Sequence, residues 1–130
     1  MNQLALTVLI VEDEFDNQQI ISHILNYYGF DATVVGNGLE CLAVLEQMIP
    51  SVVIMDLAMP KMDGWETLIA IRANPRTANI PVVAITAFHS DEVARGVNAA
   101  GFNAYFRKPL NPMKFVDQLQ KAIGIPPKTF

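Results

Sequence analysis

The sequence lacks the features of a disulfide-stabilised, nucleic-acid-binding or membrane-embedded protein. Cys41 is the single cysteine, so no disulfide can form within the chain, and we expect this side chain to pack in a helix. The nine Lys and Arg residues are scattered and the net charge is −4, whereas nonspecific nucleic-acid binding needs clustered cations. The apolar stretch within residues 1–11 is too short to span a membrane. We therefore expect a cytoplasmic protein that binds neither nucleic acid nor membrane directly.

The chain does contain a high share of hydrophobic residues, 52%, with 17% charged residues. This composition is typical of a compact folded domain, and 130 residues suffice for one core. We expect residues 1–123 to form a single domain and residues 124–130 (GIPPKTF) to be a short tail. The protein is then either a single-domain unit or one domain of something longer.

Short apolar runs alternate with helical patterns five times along the chain. Strands are predicted at about residues 6–11, 31–35, 51–56, 81–86 and 103–107. Ser90 is a predicted N-cap for the fourth helix, and Asn111 followed by Pro112 begins the fifth. Continuous β-branched runs are typical of parallel strands covered on both faces. The pattern predicts a doubly wound α/β fold with a five-stranded parallel sheet and right-handed crossovers.

Polar residues follow four of the predicted strands. Glu12 and Asp13 follow the first, Asp56 ends the third, Thr86 ends the fourth, and Lys108 follows the fifth. Because ligands of open α/β sheets bind outside the carboxyl ends of the strands, we expect these side chains to converge. Three carboxylates, a hydroxyl and an ammonium are suited to handling a phosphoryl group with a divalent cation.

Carboxylates that converge repel one another unless a cation is present, and Mg²⁺ (or Mn²⁺) prefers oxygen ligands. Asp13 and Asp56 are predicted to be direct ligands. Glu12 is expected to act directly or through water, and the backbone carbonyl of Ala58 is expected to complete the set. Glu14 and Asp16 are instead expected to cap the first helix and favour its dipole.

Six short motifs lie in order on this βα pattern. They are Glu12-Asp13, Asp56, Met59-Pro60, Asp63-Gly64, Thr86-Ala87 and Lys108-Pro109. Each motif is weak alone, but together, in this order and spacing, they resemble the receiver domain of two-component response regulators from about residue 6 to residue 123.

The resemblance implies that Asp56 takes a phosphoryl group from a phosphohistidine on a sensor histidine kinase or a histidine phosphotransfer protein. It also implies that Glu12 and Asp13 bind Mg²⁺ and that Thr86 and Lys108 contact the phosphoryl group. The implied fold is flavodoxin-like (βα)5, with strand order 2-1-3-4-5 and a cis peptide before Pro109. Such a protein catalyses only its own phosphorylation and dephosphorylation.

Tyr105 matches the switch aromatic of the family. When the threonine moves toward the phosphoryl group, this ring turns inward and changes the surface of the fourth helix, fifth strand and fifth helix. A downstream effector reads that surface, and relatives often dimerise through it. A plain edge-strand aromatic is the alternative for Tyr105.

Ala58 and Phe88 occupy positions at which family members differ and at which dephosphorylation is tuned. Neither side chain can orient an attacking water, so we expect slow self-dephosphorylation. His89 is expected to be a solvated loop residue, and Trp65 to pack at the start of the third helix.

Three other classes remain as alternatives. A phosphatase of the haloacid dehalogenase type needs a second Asp two residues after the nucleophile, where this chain has Ala58. A flavodoxin would bind a flavin phosphate after the first strand, where Glu12 and Asp13 would repel it. A pseudo-receiver that is never phosphorylated typically lacks the nucleophile, an acidic ligand or the lysine.

Overall fold

Five strands alternate with five helices in the computed structural model, which describes residues 6–124. In chain order they are β1 (Thr7–Val11), α1 (Phe15–Tyr27), β2 (Asp31–Val35), α2 (Gly38–Leu45), β3 (Val52–Asp56), α3 (Gly64–Ala73), β4 (Val82–Thr86), α4 (Asp91–Ala100), β5 (Ala104–Arg107) and α5 (Pro112–Ala122). The predicted alternation is confirmed, and each strand begins at or one residue after its predicted start. The predicted tail, apart from Gly124, lies outside the described residues.

All five strands are parallel, in the order β2-β1-β3-β4-β5. This is the order that the resemblance implied. The chain winds from β1 to β2 in one direction and then crosses back to β3, so β1 and β3 are neighbours at the point where the winding reverses. In such sheets the crevice outside the carboxyl ends of these two strands is the binding position. The residues after β1 and at the end of β3 occupy it.

The hydrophobic runs of the strands build two cores, one on each face of the sheet. Along β1, Leu9 and Val11 pack in the core beneath α2, α3 and α4. Val8 and Ile10 point to the opposite core, beneath α1 and α5. Every residue of β3 and β4 is buried. This double burial explains why the strands are uninterrupted apolar runs without polar alternation.

The helices begin at capping residues that the sequence marks. Asn37, Ser90 and Asn111 each accept a hydrogen bond from a backbone amide three residues on, and Asp63 forms a capping box with Glu66. Helix α1 differs from the expectation. Glu14 occupies its N-cap position, but its carboxylate accepts from the Asn17 side chain, 3.3 Å away, and makes no capping bond. Asp16 lies in the first turn, as predicted.

Two expectations about single residues are confirmed. Cys41 is completely buried in α2, and burial raises the pKa of its thiol to about 12. A thiol with so high a pKa stays protonated and packs as a small apolar group. Trp65 packs at the start of α3, with its ring edge-on to Phe102 at a centroid distance of 5.6 Å.

The N-terminus of α3 lies directly against the end of β3, and glycine at Gly64 makes this approach possible. A Cβ at this position would lie 2.6 Å from the carbonyl oxygen of Asp56 and 2.9 Å from the Leu57 Cα. The Gly64 amide donates to the Leu57 carbonyl at 3.1 Å. The backbone that carries Asp56 is therefore fixed by the helix that follows it.

We expect Gly64→Ala to lower the free energy of unfolding by about 1–3 kcal/mol, because the new methyl group meets backbone that cannot give way locally. Gly36→Ala is the matched control, since its Cβ would meet only the flexible Glu40 side chain at 3.5 Å. Urea unfolding followed by circular dichroism measures both. Equal stability of the two variants would contradict the close approach at Gly64.

Candidate functional site

Three carboxylates meet at the carboxyl ends of β1 and β3. Glu12, Asp13 and Asp56 each offer an oxygen, and these oxygens lie within 4.8 Å of one another. Glu12 and Asp56 are buried, whereas Asp13 is exposed. The cluster that the strand ends predicted is therefore present. Its oxygen donors fit a hard divalent cation such as Mg²⁺, which takes one to three carboxylates and keeps several waters.

The ammonium of Lys108 bridges the two buried carboxylates. Its Nζ lies 2.6 Å from Oε1 of Glu12 and 2.8 Å from Oδ2 of Asp56. The side chain is 14% exposed, so both contacts are shielded from water and stronger than surface ion pairs. Burial alone would lower the pKa of Lys108, but the hydrogen bonds to Asp56 and Glu12 outweigh it and raise that pKa.

Backbone geometry aims Lys108 at this point. The Lys108 amide donates to the carbonyl of Thr86 at 2.9 Å, which extends the pairing of β5 with β4 by one residue. The peptide bond from Lys108 to Pro109 is cis, as the resemblance implied. The lysine thus leaves the sheet edge at a fixed position and reaches across β4 toward β3 and β1.

Backbone amides hold the second oxygen of each buried carboxylate. The Ala58 amide donates to Oδ1 of Asp56, and the Glu14 amide donates to Oε2 of Glu12, both at 3.1 Å. In addition, the side-chain amide of Gln18 donates to the Glu12 carbonyl at 2.6 Å. Gln18 was not identified from the sequence, because nothing in its spacing marks which α1 side chain turns back to the strand end. The ligand role of the Ala58 carbonyl remains a prediction.

Burial determines the titration of Glu12. Its side chain is completely buried, and this desolvation raises its pKa from 4.5 to about 7, although the hydrogen bonds from Lys108 and the Glu14 amide favour the charged form. The neighbouring Asp56 charge raises it further. Glu12 therefore changes charge near neutral pH, which couples the acidic cluster to pH.

Thr86 ends β4 beside Asp56 and is 2% exposed. Asp56 pairs with Ile85 across the two strands, so Thr86 is the next residue beyond that pair on the neighbouring strand. Its Oγ accepts a hydrogen bond from the Phe88 amide at 3.0 Å, and its own hydroxyl proton remains available to donate. The loop after β4 is thereby attached to the site.

Tyr105 lies half-buried on the edge strand β5, and His89 is its partner. His89 Nδ1 and the Tyr105 hydroxyl are 2.6 Å apart, and the rings stack at a centroid distance of 5.6 Å. His89 is an exposed loop residue, as predicted, and its ring also bonds to Tyr105. Phe88 is 74% exposed, and Ala58 is also exposed.

A cleft of about 730 Å³ opens beside Tyr105, between the β4–α4 loop, β5 and α5. Its lining includes cations but no carboxylate. The lining residues are Ala87, His89, Tyr105, Phe106, Arg107, Lys108, Pro109, Leu110, Asn111, Lys114, Phe115 and Gln118. This cleft was not predicted from the sequence, because its walls come from three separate elements.

Comparison with known proteins agrees with this arrangement. The family model of the response regulator receiver domain matches residues 8–120. A 14.6 kDa protein of Leptolyngbya boryana is 33% identical over 129 residues, which is 98% of each chain. The polar-differentiation response regulator DivK of Brucella anthropi is 27% identical over 118 residues, covering 91% of this chain and 96% of DivK.

Solved structures give the same result. The receiver domain of a sensor histidine kinase from Pseudomonas aeruginosa, with a magnesium ion coordinated in its active-site cleft, superposes with a TM-score of 0.85. It is 29% identical and covers 93% of this chain and 99% of that one. The chain belongs to the response regulator receiver domain family.

Family membership confirms the resemblance and the fold, and it makes the protein a signalling module of two-component systems. The acidic cluster is consistent with the magnesium site of such domains. Within residues 6–124, no helix has the length and apolar character needed to cross a membrane.

We expect stability to depend on pH through Glu12. Because folding raises its pKa from 4.5 to about 7, its contribution to stability is full below pH 4.5 and is lost as the pH rises through 7. With a chelator present to keep metal ions from the site, the free energy of unfolding of the wild type should therefore fall by on the order of 1–3 kcal/mol relative to that of Glu12→Gln across that pH range. Urea unfolding of both proteins at a series of pH values measures this difference. Parallel pH profiles would contradict it.

Proposed function

We propose that the protein is a phosphoacceptor switch in which Asp56 takes a phosphoryl group from a phosphohistidine. The donor is a sensor histidine kinase or a histidine phosphotransfer protein. One observation carries the proposal: the buried Asp56 carboxylate lies 2.8 Å from the Lys108 ammonium and within 4.8 Å of the oxygens of Glu12 and Asp13. In the reaction, an Asp56 oxygen forms a bond to phosphorus, the bond from phosphorus to the histidine nitrogen breaks, and the imidazole leaves with the electron pair.

The metal site of this proposal consists of Asp13, Asp56, Glu12 directly or through water, and the Ala58 carbonyl. When Glu12 is charged, three carboxylates and one ammonium leave two negative charges, which matches a divalent cation. Bound Mg²⁺ (or Mn²⁺) would supply charge neutralisation for the phosphoryl oxygens, the main requirement of phosphoryl transfer. Asp13 is the exposed member, so it is open to a hydrated ion arriving from solvent.

Lys108 and Thr86 act on the transferred group. Lys108 is a flexible point charge already at Asp56, so it can follow the new phosphoryl oxygens by giving up one of its two carboxylate contacts. The Thr86 hydroxyl can donate to a phosphoryl oxygen once it turns away from the Phe88 amide. Both contacts form only with the phosphoryl group, which is how such interactions lower the barrier.

Movement of Thr86 vacates space into which Tyr105 turns, and the surface of α4, β5 and α5 changes with it. The cleft beside Tyr105 supports this surface as the place at which a downstream effector protein binds. Homodimerisation on phosphorylation would use the same surface. The site acts on its own aspartate and not on a turned-over substrate, and the cytoplasm, where sensor kinases are phosphorylated, is the proposed location.

We expect incubation with Mg²⁺ and a small phosphodonor, such as acetyl phosphate or phosphoramidate, to add one phosphoryl group to the protein. Intact mass spectrometry measures the adduct. Asp56→Asn should abolish it, because an amide cannot act as the nucleophile. Asp63→Asn is the matched control, since Asp63 caps α3 and is outside the acidic cluster.

The same experiment separates the alternatives. A single adduct that persists after the donor is removed supports the receiver. Steady consumption of donor without an adduct would instead support a phosphatase, although Ala58 offers no general acid. No adduct and no consumption, with either donor, would support a pseudo-receiver and overturn the proposal.

We expect the phosphoryl group to persist, because Ala58 and Phe88 provide no group that orients an attacking water. Phe88→Gln and Ala58→Asn should each shorten the lifetime by about two- to tenfold, by placing a hydrogen-bonding side chain beside Asp56. Phe88→Leu is the matched control, since it changes size but adds no polar atom. The decay of the adduct in Mg²⁺ buffer measures the lifetime. A half-life of seconds in the wild type would contradict the prediction.

A further inference from the structure

His89 makes two different contacts with Tyr105. A hydrogen bond joins Nδ1 and the hydroxyl oxygen at 2.6 Å, and the rings lie nearly parallel, with an interplanar angle of 21°. The preceding residue, Phe88, is 74% exposed, so the loop as a whole is not collapsed onto β5. The contact with Tyr105 is therefore made by the His89 side chain and not by general packing of the loop.

The other end of the same loop is held by the phosphoryl site. The Phe88 amide donates to the buried Thr86 hydroxyl at 3.0 Å. Thr86, the Phe88 backbone, His89 and Tyr105 therefore form a continuous chain of contacts from the edge of the acidic cluster to β5. If Thr86 turns away from the Phe88 amide toward Asp56, as the proposed function requires, the segment that carries His89 loses an anchor.

We propose that His89 is a positioning residue that holds Tyr105 at the surface while Asp56 is unphosphorylated. The inference rests on the proposed switch, since it requires that Tyr105 turn inward when the site is occupied. Turning inward breaks both the hydrogen bond and the ring stacking. These contacts therefore favour the unoccupied conformation, and any ligand that selects the inward conformation must overcome them.

The equilibrium test uses Mg²⁺ with beryllium fluoride, which mimics a phosphoryl group on a carboxylate. Because both partners of the hydrogen bond are accessible to water, its net contribution is modest, and His89→Ala should tighten binding by about two- to fivefold. His89→Asn, which keeps a polar group near the Nδ1 position but has no ring to stack, should tighten binding less than His89→Ala does. His23→Ala, which changes the other histidine of the chain, on α1, should have no effect. Isothermal titration calorimetry measures the affinities.

A double-mutant cycle connects the effect to Tyr105. In a Tyr105→Phe background the hydrogen bond is already absent, so His89→Ala should change the affinity less than it does in the wild type. An equal change in both backgrounds, or no change in either, would overturn the proposal.

A spectroscopic test needs no ligand. In protein labelled with 3-fluorotyrosine, ¹⁹F NMR resolves three tyrosines, and Tyr105→Phe assigns one of them. His89→Ala should shift the Tyr105 resonance and leave those of Tyr27 and Tyr28 unchanged, whereas His89→Asn, which keeps a hydrogen-bonding group but no ring, should shift it less. An unmoved Tyr105 resonance, or an Asn variant that behaves as Ala does, would overturn the hydrogen bond as the cause.

The two tests separate this proposal from the function on which it rests. Beryllium fluoride that binds with the same affinity to the wild type and to His89→Ala would overturn the role of His89 alone. A wild type that takes neither beryllium fluoride nor a phosphoryl group would overturn the proposed function, and the role of His89 with it.

Discussion

The Lys108 ammonium between two buried carboxylates is the interaction on which the site depends. Glu12 and Asp56 come from neighbouring strands that each end at the same sheet edge, so the fold forces like charges together. Buried carboxylates without a partner are costly, and each of these two has an ammonium on one oxygen and a backbone amide on the other. The lysine can reach both because β5 extends beside β4 as far as residue 108. A single Nζ atom, positioned by the packing of β5 on β4, thus compensates both buried carboxylates.

The same arrangement supports the proposal that the protein changes conformation when Asp56 takes a phosphoryl group. Lys108 makes two contacts of similar length, so a third anion at Asp56 can compete for it without exposing an uncompensated charge. The raised pKa of Glu12 shows that the ammonium does not fully offset the burial of its carboxylate. The negative carboxylates would favour binding of the cation, and the cation would favour binding of the negative phosphoryl group.

Much of the fold and site follows from the sequence for a simple physical reason. Parallel strands buried on both faces must be continuous apolar runs, so their ends are visible, and the residues after VLIV, VVIM and VVAI had to share one edge. The sequence predicted that Lys108 would lie near the carboxylates, but not that its ammonium would bridge Glu12 and Asp56, because that contact depends on how β5 and the lysine side chain are placed. The contacts that Gln18 and His89 make were not predicted, for the same reason. Their roles arise from loop and helix orientation, which leaves no periodic signal.

The β4–α4 loop carries two neighbouring residues with separate physical roles. Phe88 faces solvent, and its backbone amide holds Thr86, whereas the His89 side chain holds Tyr105. A substitution at Phe88 changes an exposed side chain but leaves the backbone amide, so in the proposed function it would act on how long a phosphoryl group lasts. A substitution at His89 would act on how strongly the proposed switch resists the inward turn of Tyr105. Because the two contacts come from different residues, the proposed lifetime and the proposed resistance to switching could vary independently while the acidic cluster stays intact.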